Sequence, residues 1–115
     1  MCGIAGILTF DASCGQPEFK ETIRKMTNLM MRRGPDDEGF WSDPNGHLQL
    51  GFRRLSILDL SLAGHQPMIS RDGRFVIVFN GEVYNFKDLR KELESKGAEF
   101  RSSGDTEVVL SALAQ

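Results

Sequence analysis

Apolar and polar positions alternate with a spacing that changes along this chain, and each spacing predicts an element. Residues 3–10, Gly-Ile-Ala-Gly-Ile-Leu-Thr-Phe, form a short apolar run with small residues, the pattern of a buried strand. Its glycines would let a ligand or another backbone approach closely. Behind Pro17, the residues Phe19, Ile23, Met26 and Met30 recur at i, i+4, i+7 and i+11, which predicts an amphipathic helix opened by the proline. Arg32-Arg33-Gly34-Pro35-Asp36-Asp37 ends it in a loop. Residues 38–42 and 47–52 predict a hairpin around Asp43-Pro44-Asn45-Gly46, with Leu48, Leu50 and Phe52 alternating as strand residues do. Residues 54–70 are less regular and predict a loop over the surface. Arg71-Asp72-Gly73-Arg74 is a turn leading into Phe75-Val76-Ile77-Val78-Phe79, a continuous apolar run that predicts a strand buried on both faces. Asn85 stands where it would cap a helix over 86–96, closed by Gly97. Residues 105–115 predict a last helix, with Val108, Val109, Leu110, Ala112 and Leu113 apolar and no stop signal after it. The fold class expected is α+β, strands layered against helices, in a domain truncated at its C-terminal end.

Composition narrows the class. With 115 residues, 40% hydrophobic and 26% charged, the chain suits one globular domain or part of one. A net charge of −2 offers no electrostatic footprint for nucleic acid or an anionic membrane. No apolar run approaches the roughly 20 residues of a membrane-spanning helix, and no basic segment with a long apolar core opens the chain, so no signal peptide is read. Two cysteines, Cys2 and Cys14, make neither a disulfide framework nor a CxxC pair, and cytoplasm is the expected compartment. Cys14, in a Ser-Cys-Gly turn, reads as an inert loop thiol.

Cys2 is the first residue after a removable methionine. If Met1 is cleaved, one residue carries both a thiol and a free α-amine, a nucleophile and its proton acceptor. An α-amine titrates at about 7.7–8.0, so at neutral pH it can take the thiol proton without help from His47 or His65. If Met1 stays, the nitrogen is locked in a peptide bond and the base is gone; Cys2 is then an ordinary thiol near a strand start. Asn80-Gly81-Glu82 follows the expected strand 75–79. An Asn amide and a Gly N–H pointing one way make an oxyanion hole, or the segment is a plain Asn-Gly turn. Glu82 is a carboxylate for a ligand ammonium or a solvated charge. Arg54 offers a bidentate carboxylate clamp or a surface salt bridge. Asp105 either favours the last helix through capping or the dipole, or binds an ammonium. The 32–37 loop mixes two arginines with two aspartates and reads as a structural ion-pair loop. Neither a nucleotide-binding glycine motif nor a set with metal-ligand spacing is present.

Taken together, these segments resemble the glutaminase domain of class II, N-terminal-nucleophile glutamine amidotransferases, and within them the asparagine synthetase branch. The matching stretches are Met1-Cys2-Gly3-Ile4-Ala5-Gly6, Arg33-Gly34-Pro35-Asp36, Arg54-Leu55-Ser56-Ile57-Leu58-Asp59, Gln66-Pro67-Met68, Asn80-Gly81-Glu82-Val83-Tyr84-Asn85 and Gly104-Asp105-Thr106-Glu107, in the family's order. The resemblance implies that Cys2 attacks the glutamine side-chain amide with its own α-amine as base, through a glutamyl thioester. Asn80 and Gly81 would form the oxyanion hole. Arg54 would hold the α-carboxylate, and Asp105 with Glu82 the α-ammonium. The backbone around Ile57 and Leu58 would line the pocket, with residues 33–36 as support. Arg53 stands where some members carry His.

The fold implied is an αββα sandwich of two antiparallel sheets, of which residues 1–115 would be the N-terminal part. The implied partners are L-glutamine and a synthetase domain, absent from this segment, that would use ATP and Mg²⁺ to amidate aspartate. The segment itself implies no cofactor and no metal. Neither nucleic acid nor membrane is implied as a partner; a homodimer stays open. Two alternatives stay open as well: the same glutaminase serving another acceptor in sugar or peptide biosynthesis, and a non-catalytic glutamine-binding module with Met1 retained.

Overall fold

The structure, a computed structural model, describes residues 1–11 and 17–115; Cys14 lies outside the described residues. Three strands, β1 (Gly3–Leu8), β2 (Asp37–Ser42) and β3 (Leu48–Arg54), form an antiparallel sheet in the order β1-β3-β2. The 43–46 turn sets the register of the expected hairpin. Asp43 accepts the Leu48 N–H at 2.7 Å and the Asn45 N–H at 3.2 Å, and Gly46 takes a φ of +75°. Ser42 then stands opposite Gln49 and Asp37 opposite Arg54. On the other side Gly3 pairs with Arg53 and Leu8 with Leu48.

Helix α1 (Pro17–Leu29) packs on β1 and β3. Its inward seam holds Ile23 and Thr27, while Met26 is 37% exposed. Thr27 displaces the expected methionine because its hydroxyl donates to the Ile23 carbonyl at 2.7 Å, so it buries no unsatisfied polar atom. Just beyond the helix, Met30 rests on Gly3, where a Cβ would lie 2.7 Å from its sulfur. The close approach expected at the N-terminal glycines is therefore made by this side chain. Burial of β1 is one-sided: Gly3 and Ala5 face α1, whereas Ile4 and Leu8 are exposed.

The second sheet is small: β4 (Met68–Ile69) pairs antiparallel with β5 (Val76–Ile77). The expectation of a doubly buried strand over 75–79 is corrected here. Only two of its residues pair; Phe75 is exposed and residues 76–79 are half-buried, because β4 is the strand's ladder partner and α3 lies against it. The expectation of a surface loop over 54–70 is corrected too. It contains a 3-10 turn (Leu62–Gly64) and β4, and it buries Asp59, Gln66 and Ser70.

Helix α2 (Phe86–Ser95) starts after Asn85, but the Asn85 side chain makes no capping bond. Its backbone, at φ −96° and ψ 20°, is not the extended form that swings a side-chain oxygen over the first turn. Gly97 closes the helix as expected, at φ +94°; its N–H bonds to Glu94 and that of Ala98 to Leu93, both at 3.0 Å. Helix α3 (Asp105–Leu113) buries Val108 and Leu110 and packs on α2 and the β4–β5 sheet. Glu107 reaches back to the N–H groups of Arg101 and Ser102, fixing the turn that leads into α3. Among the described residues, no helix is long and apolar enough to cross a membrane.

Candidate active site

The register of the first sheet builds one wall of the site. Pairing Gly3 with Arg53 puts Cys2 beside the end of β3. The Cys2 Sγ accepts the Leu55 N–H at 3.4 Å and donates to the Leu55 carbonyl at 3.7 Å. The thiol is half-buried and borders a cavity of about 370 Å³. The other residues expected to act in catalysis or glutamine binding line the same cavity: Arg54, Ile57, Leu58, Asn80, Gly81, Glu82 and Asp105. Met1 also lines it and is mostly exposed.

Arg54 is 7% exposed and is no surface salt bridge. Its guanidinium donates to the carbonyls of Asp59 and of Ser61, the latter at 2.7 Å. The 62–64 turn presses against it, so that a Cβ on Gly64 would lie 2.7 Å from Arg54 Cζ. Among the described residues no carboxylate pairs with Arg54, which leaves a buried cation open to an anionic ligand. Asp105 is likewise buried. It is the first residue of α3, where the dipole favours an anion, but it does not cap that helix. Its Oδ2 accepts the Val83 N–H at 2.9 Å, and among the described residues nothing donates to its Oδ1. Asn80 and Gly81 close no hydrogen-bonded turn. Among the described residues the Asn80 amide and the Gly81 N–H have no partner, so both are donors free to serve a ligand in the cavity they line. The Glu82 carboxylate, exposed at the same wall, is also unpaired among those residues.

The 33–36 segment supports this wall from outside. The Arg33 Nε donates to the Cys2 carbonyl at 3.4 Å, the Asp36 N–H to the Arg54 carbonyl at 2.9 Å, and the Asp36 carboxylate accepts the Ser56 N–H at 2.8 Å. Arg53 bonds Gly34 and Glu38 and does not line the cavity. Neither histidine lines it: His47 bonds the Thr9 carbonyl and His65 the Asp37 carboxylate. A larger cavity, about 580 Å³, lies beside β4 and α3 and holds none of the candidate residues; its Glu99 is paired with Arg71 at 2.7 Å.

Two residues of the site carried no assignment from the sequence. Gln66, nearly buried, accepts the Phe79 N–H at 2.6 Å and donates to the Phe79 carbonyl at 3.4 Å and to the Thr106 hydroxyl at 3.3 Å. It thereby does for Phe79 what a strand neighbour would, and fixes the residue before Asn80. The Gln66–Pro67 bond is cis. Asp59, 7% exposed, accepts the Ser61 N–H and hydroxyl at 2.8 and 2.5 Å on Oδ1 and the Ser103 N–H at 2.8 Å on Oδ2. Burial alone would raise its pKa; the Ser61 and Ser103 donors outweigh it and hold the carboxyl at about 2. The available signals were a lone acid among leucines, two residues before a serine, and a glutamine before a proline.

Among the described residues, no three His, Cys, Asp or Glu side chains come together to hold a metal ion.

Comparison with known proteins finds relatives over nearly the whole chain. Across 110 residues the chain is 42% identical to the glutamine-hydrolyzing asparagine synthetase 1 of Bacillus subtilis, and across 112 residues 40% identical to asparagine synthetase 3 of the same organism. An amidase of Gibberella zeae is 33% identical over 117 residues. Each alignment covers 96% of this chain, and the chain spans 17% of the length of each relative. The model of the glutamine amidotransferase domain matches residues 1–115 from end to end, and the chain belongs to that family.

Proposed function

We propose that this chain carries the glutaminase activity of a glutamine-hydrolysing asparagine synthetase. The observation that carries the reading is the meeting of Cys2, Arg54, Asn80, Gly81 and Asp105 at one cavity of about 370 Å³. Glutamine is a zwitterion with an amide at its far end. The guanidinium of Arg54 takes the α-carboxylate, and the free Oδ1 of Asp105, with Glu82, takes the α-ammonium. The backbone around Ile57 and Leu58 walls the methylene chain. With both charged ends held, the side-chain amide is presented to Cys2.

After removal of Met1, the α-amine of Cys2 accepts the thiol proton as sulfur attacks the amide carbon. The tetrahedral oxyanion is held by the Asn80 Nδ2–H and the Gly81 N–H. As it collapses, the ammonium of Cys2 returns the proton to the leaving nitrogen, and ammonia departs from a glutamyl thioester. Water, deprotonated by the same amine, hydrolyses the thioester to glutamate and regenerates the thiol. The ammonia then serves an ATP- and Mg²⁺-dependent amidation of aspartate in a synthetase domain lying in sequence outside these residues.

The wider architecture is an αββα sandwich, of which residues 1–115 form the N-terminal part. The α1 layer on the first sheet and the α3 layer on the second support it. The compartment is the cytoplasm. The similarity to an amidase favours one other reading, the same glutaminase feeding a different acceptor.

Intact mass of the full-length protein before and after a diazo-ketone glutamine analogue tests the hydrolytic half. Loss of one methionine mass, then a single adduct on Cys2 with ammonia release from glutamine, is the expected result. A retained Met1 with no adduct would make the chain a non-catalytic glutamine-binding module. Supplying aspartate with ATP and Mg²⁺, and looking for asparagine, separates the two acceptors.

A further inference from the structure

Within that glutaminase reading, the loop that follows Arg54 and carries Ile57 and Leu58 poses a mechanical problem. Its apolar side chains do not bury it: Ile57 is 67% exposed, Leu58 50%, Leu60 79% and Leu62 86%. A loop without apolar anchorage keeps its place only through polar links. On its own side of the cavity it is tied to Cys2 through both polar groups of Leu55 and to Asp36, which accepts the Ser56 N–H. A further link reaches the opposite wall. The Asp59 carboxylate accepts the N–H of Ser103, 44 residues away, at the entrance to α3.

The two ends of that link are the two ends of the ligand site. Arg54 donates to the backbone carbonyls of Asp59 and Ser61, so whatever holds residues 59–61 holds the guanidinium. Ser103 stands two residues before Asp105, and Glu107 fixes the same turn through the N–H and hydroxyl of Ser102. Gly104 lies beside the same acid: a Cβ there would sit in ordinary contact, 3.5 Å from the Asp59 Cβ. Both Asp59 oxygens are engaged, Oδ1 twice by Ser61 and Oδ2 by Ser103, so the carboxylate has little left to offer a ligand although its residue borders the cavity.

We propose that Asp59 is a positioning residue that sets the distance between Arg54 and Asp105, and so selects ligands bearing a carboxylate and an ammonium on one carbon. It acts on both clamps together. Its loss therefore harms a substrate that uses both, and spares one that uses either alone.

The test is steady-state glutaminase kinetics of Asp59→Asn in the full-length protein. Three primary amides are compared: glutamine, glutaramate (no amine) and 4-aminobutanamide (no carboxylate). The asparagine keeps the shape but turns an NH₂ or a weakened oxygen toward a backbone N–H. Removing a buried, charged hydrogen-bond acceptor predicts a rise of roughly tenfold in KM for glutamine. Expected alongside it are a kcat within about twofold, KM values for the two single-ended amides within about twofold, and an unchanged rate of Cys2 alkylation by iodoacetamide.

An unchanged KM for glutamine overturns the proposal. So does an equal loss on all three amides, which is what general damage to the fold produces, or a fall confined to kcat. Should Asp59→Asn fail to fold, Ser61→Ala decides. It removes one donor to Oδ1, and with it the hydroxyl that accepts the Ala63 N–H at 3.2 Å, and keeps the Ser61 N–H and Ser103 bonds to Asp59, with about a threefold rise in KM for glutamine alone expected and no rise overturning. A wild type with a free Cys2 amine that releases no ammonia overturns the glutaminase reading itself, and the role of Asp59 falls with it.

Discussion

The first sheet with α1 and the segment around β4, β5 and the 55–64 loop are held together by different physics. The first is a ladder of six-residue pairings, with Ile23, Thr27 and Ala5 buried between helix and sheet. The second has two-residue strands. Its shape comes from side chains bonding to distant backbone: Gln66 to Phe79, Asp59 to Ser103, Asp105 to Val83. Burial is non-directional and tolerates small shifts, whereas a hydrogen bond fixes a donor and an acceptor to a few tenths of an ångström. Apolar burial against α1 holds the first region, whereas in the second, backed by Val108 and Leu110 of α3, polar bonds set the ligand geometry, with Cys2 at the seam between them.

Substitutions on either side should separate these roles. The largest effect is expected at the seam: Cys2→Ala should reduce ammonia release from glutamine by at least about 10⁴-fold while the urea midpoint and glutamine binding stay close to wild type. Next comes the ladder side. Phe52→Ala, at a site 1% exposed, should cost about 3–5 kcal/mol in urea unfolding and leave kcat per folded molecule within about twofold. A comparable loss of kcat would show that the two regions are not separable.

On the other side, Gln66→Leu leaves both backbone groups of Phe79 without their partner and shifts Asn80. A fall in kcat approaching about a hundredfold, with KM little changed, is expected from steady-state assay. Asp105→Asn should raise KM for glutamine by about tenfold and lower kcat less; a pure kcat loss would place Asp105 in the transition state instead.

The smallest effect is on acid stability. Asp59 is held at about 2, below its ordinary 3.8. A depressed carboxyl contributes stability that is full above its unfolded pKa and lost as pH falls through its folded one. Urea midpoints should therefore drop between about pH 4 and pH 2, and Asp59→Asn should flatten that drop.

This contrast also explains what the sequence could and could not reveal. Periodicity located β1, α1, the 43–46 turn and its hairpin, because burial on one face leaves a period along the chain. It erred at Met26 and Thr27, where a local hydroxyl bond reversed the usual order of burial. It erred again over 75–79, where a continuous apolar run meets a single two-residue partner. Cys2, Arg54, Asn80, Gly81 and Asp105 were legible as a set through their ordered motifs, and all line one cavity. Asp59 and Gln66 stood within the same motifs but carried no role, because their partners lie 44, 13 and 40 residues away and a polar side chain bonding to backbone leaves no pattern at the far end.

Most bonds that frame the cavity end on main-chain atoms: the carbonyls of Asp59 and Ser61, both polar groups of Leu55 and Phe79, and the N–H groups of Val83 and Ser103. A main-chain atom is present whatever residue occupies the position. The side chains at 57, 58, 60 and 62, exposed and outside those bonds, can therefore be exchanged without moving the frame. For an engineer this divides the site into invariant joinery and replaceable panelling. Libraries built at 57 and 58 should retain ligand capture while altering what the cavity wall will accept.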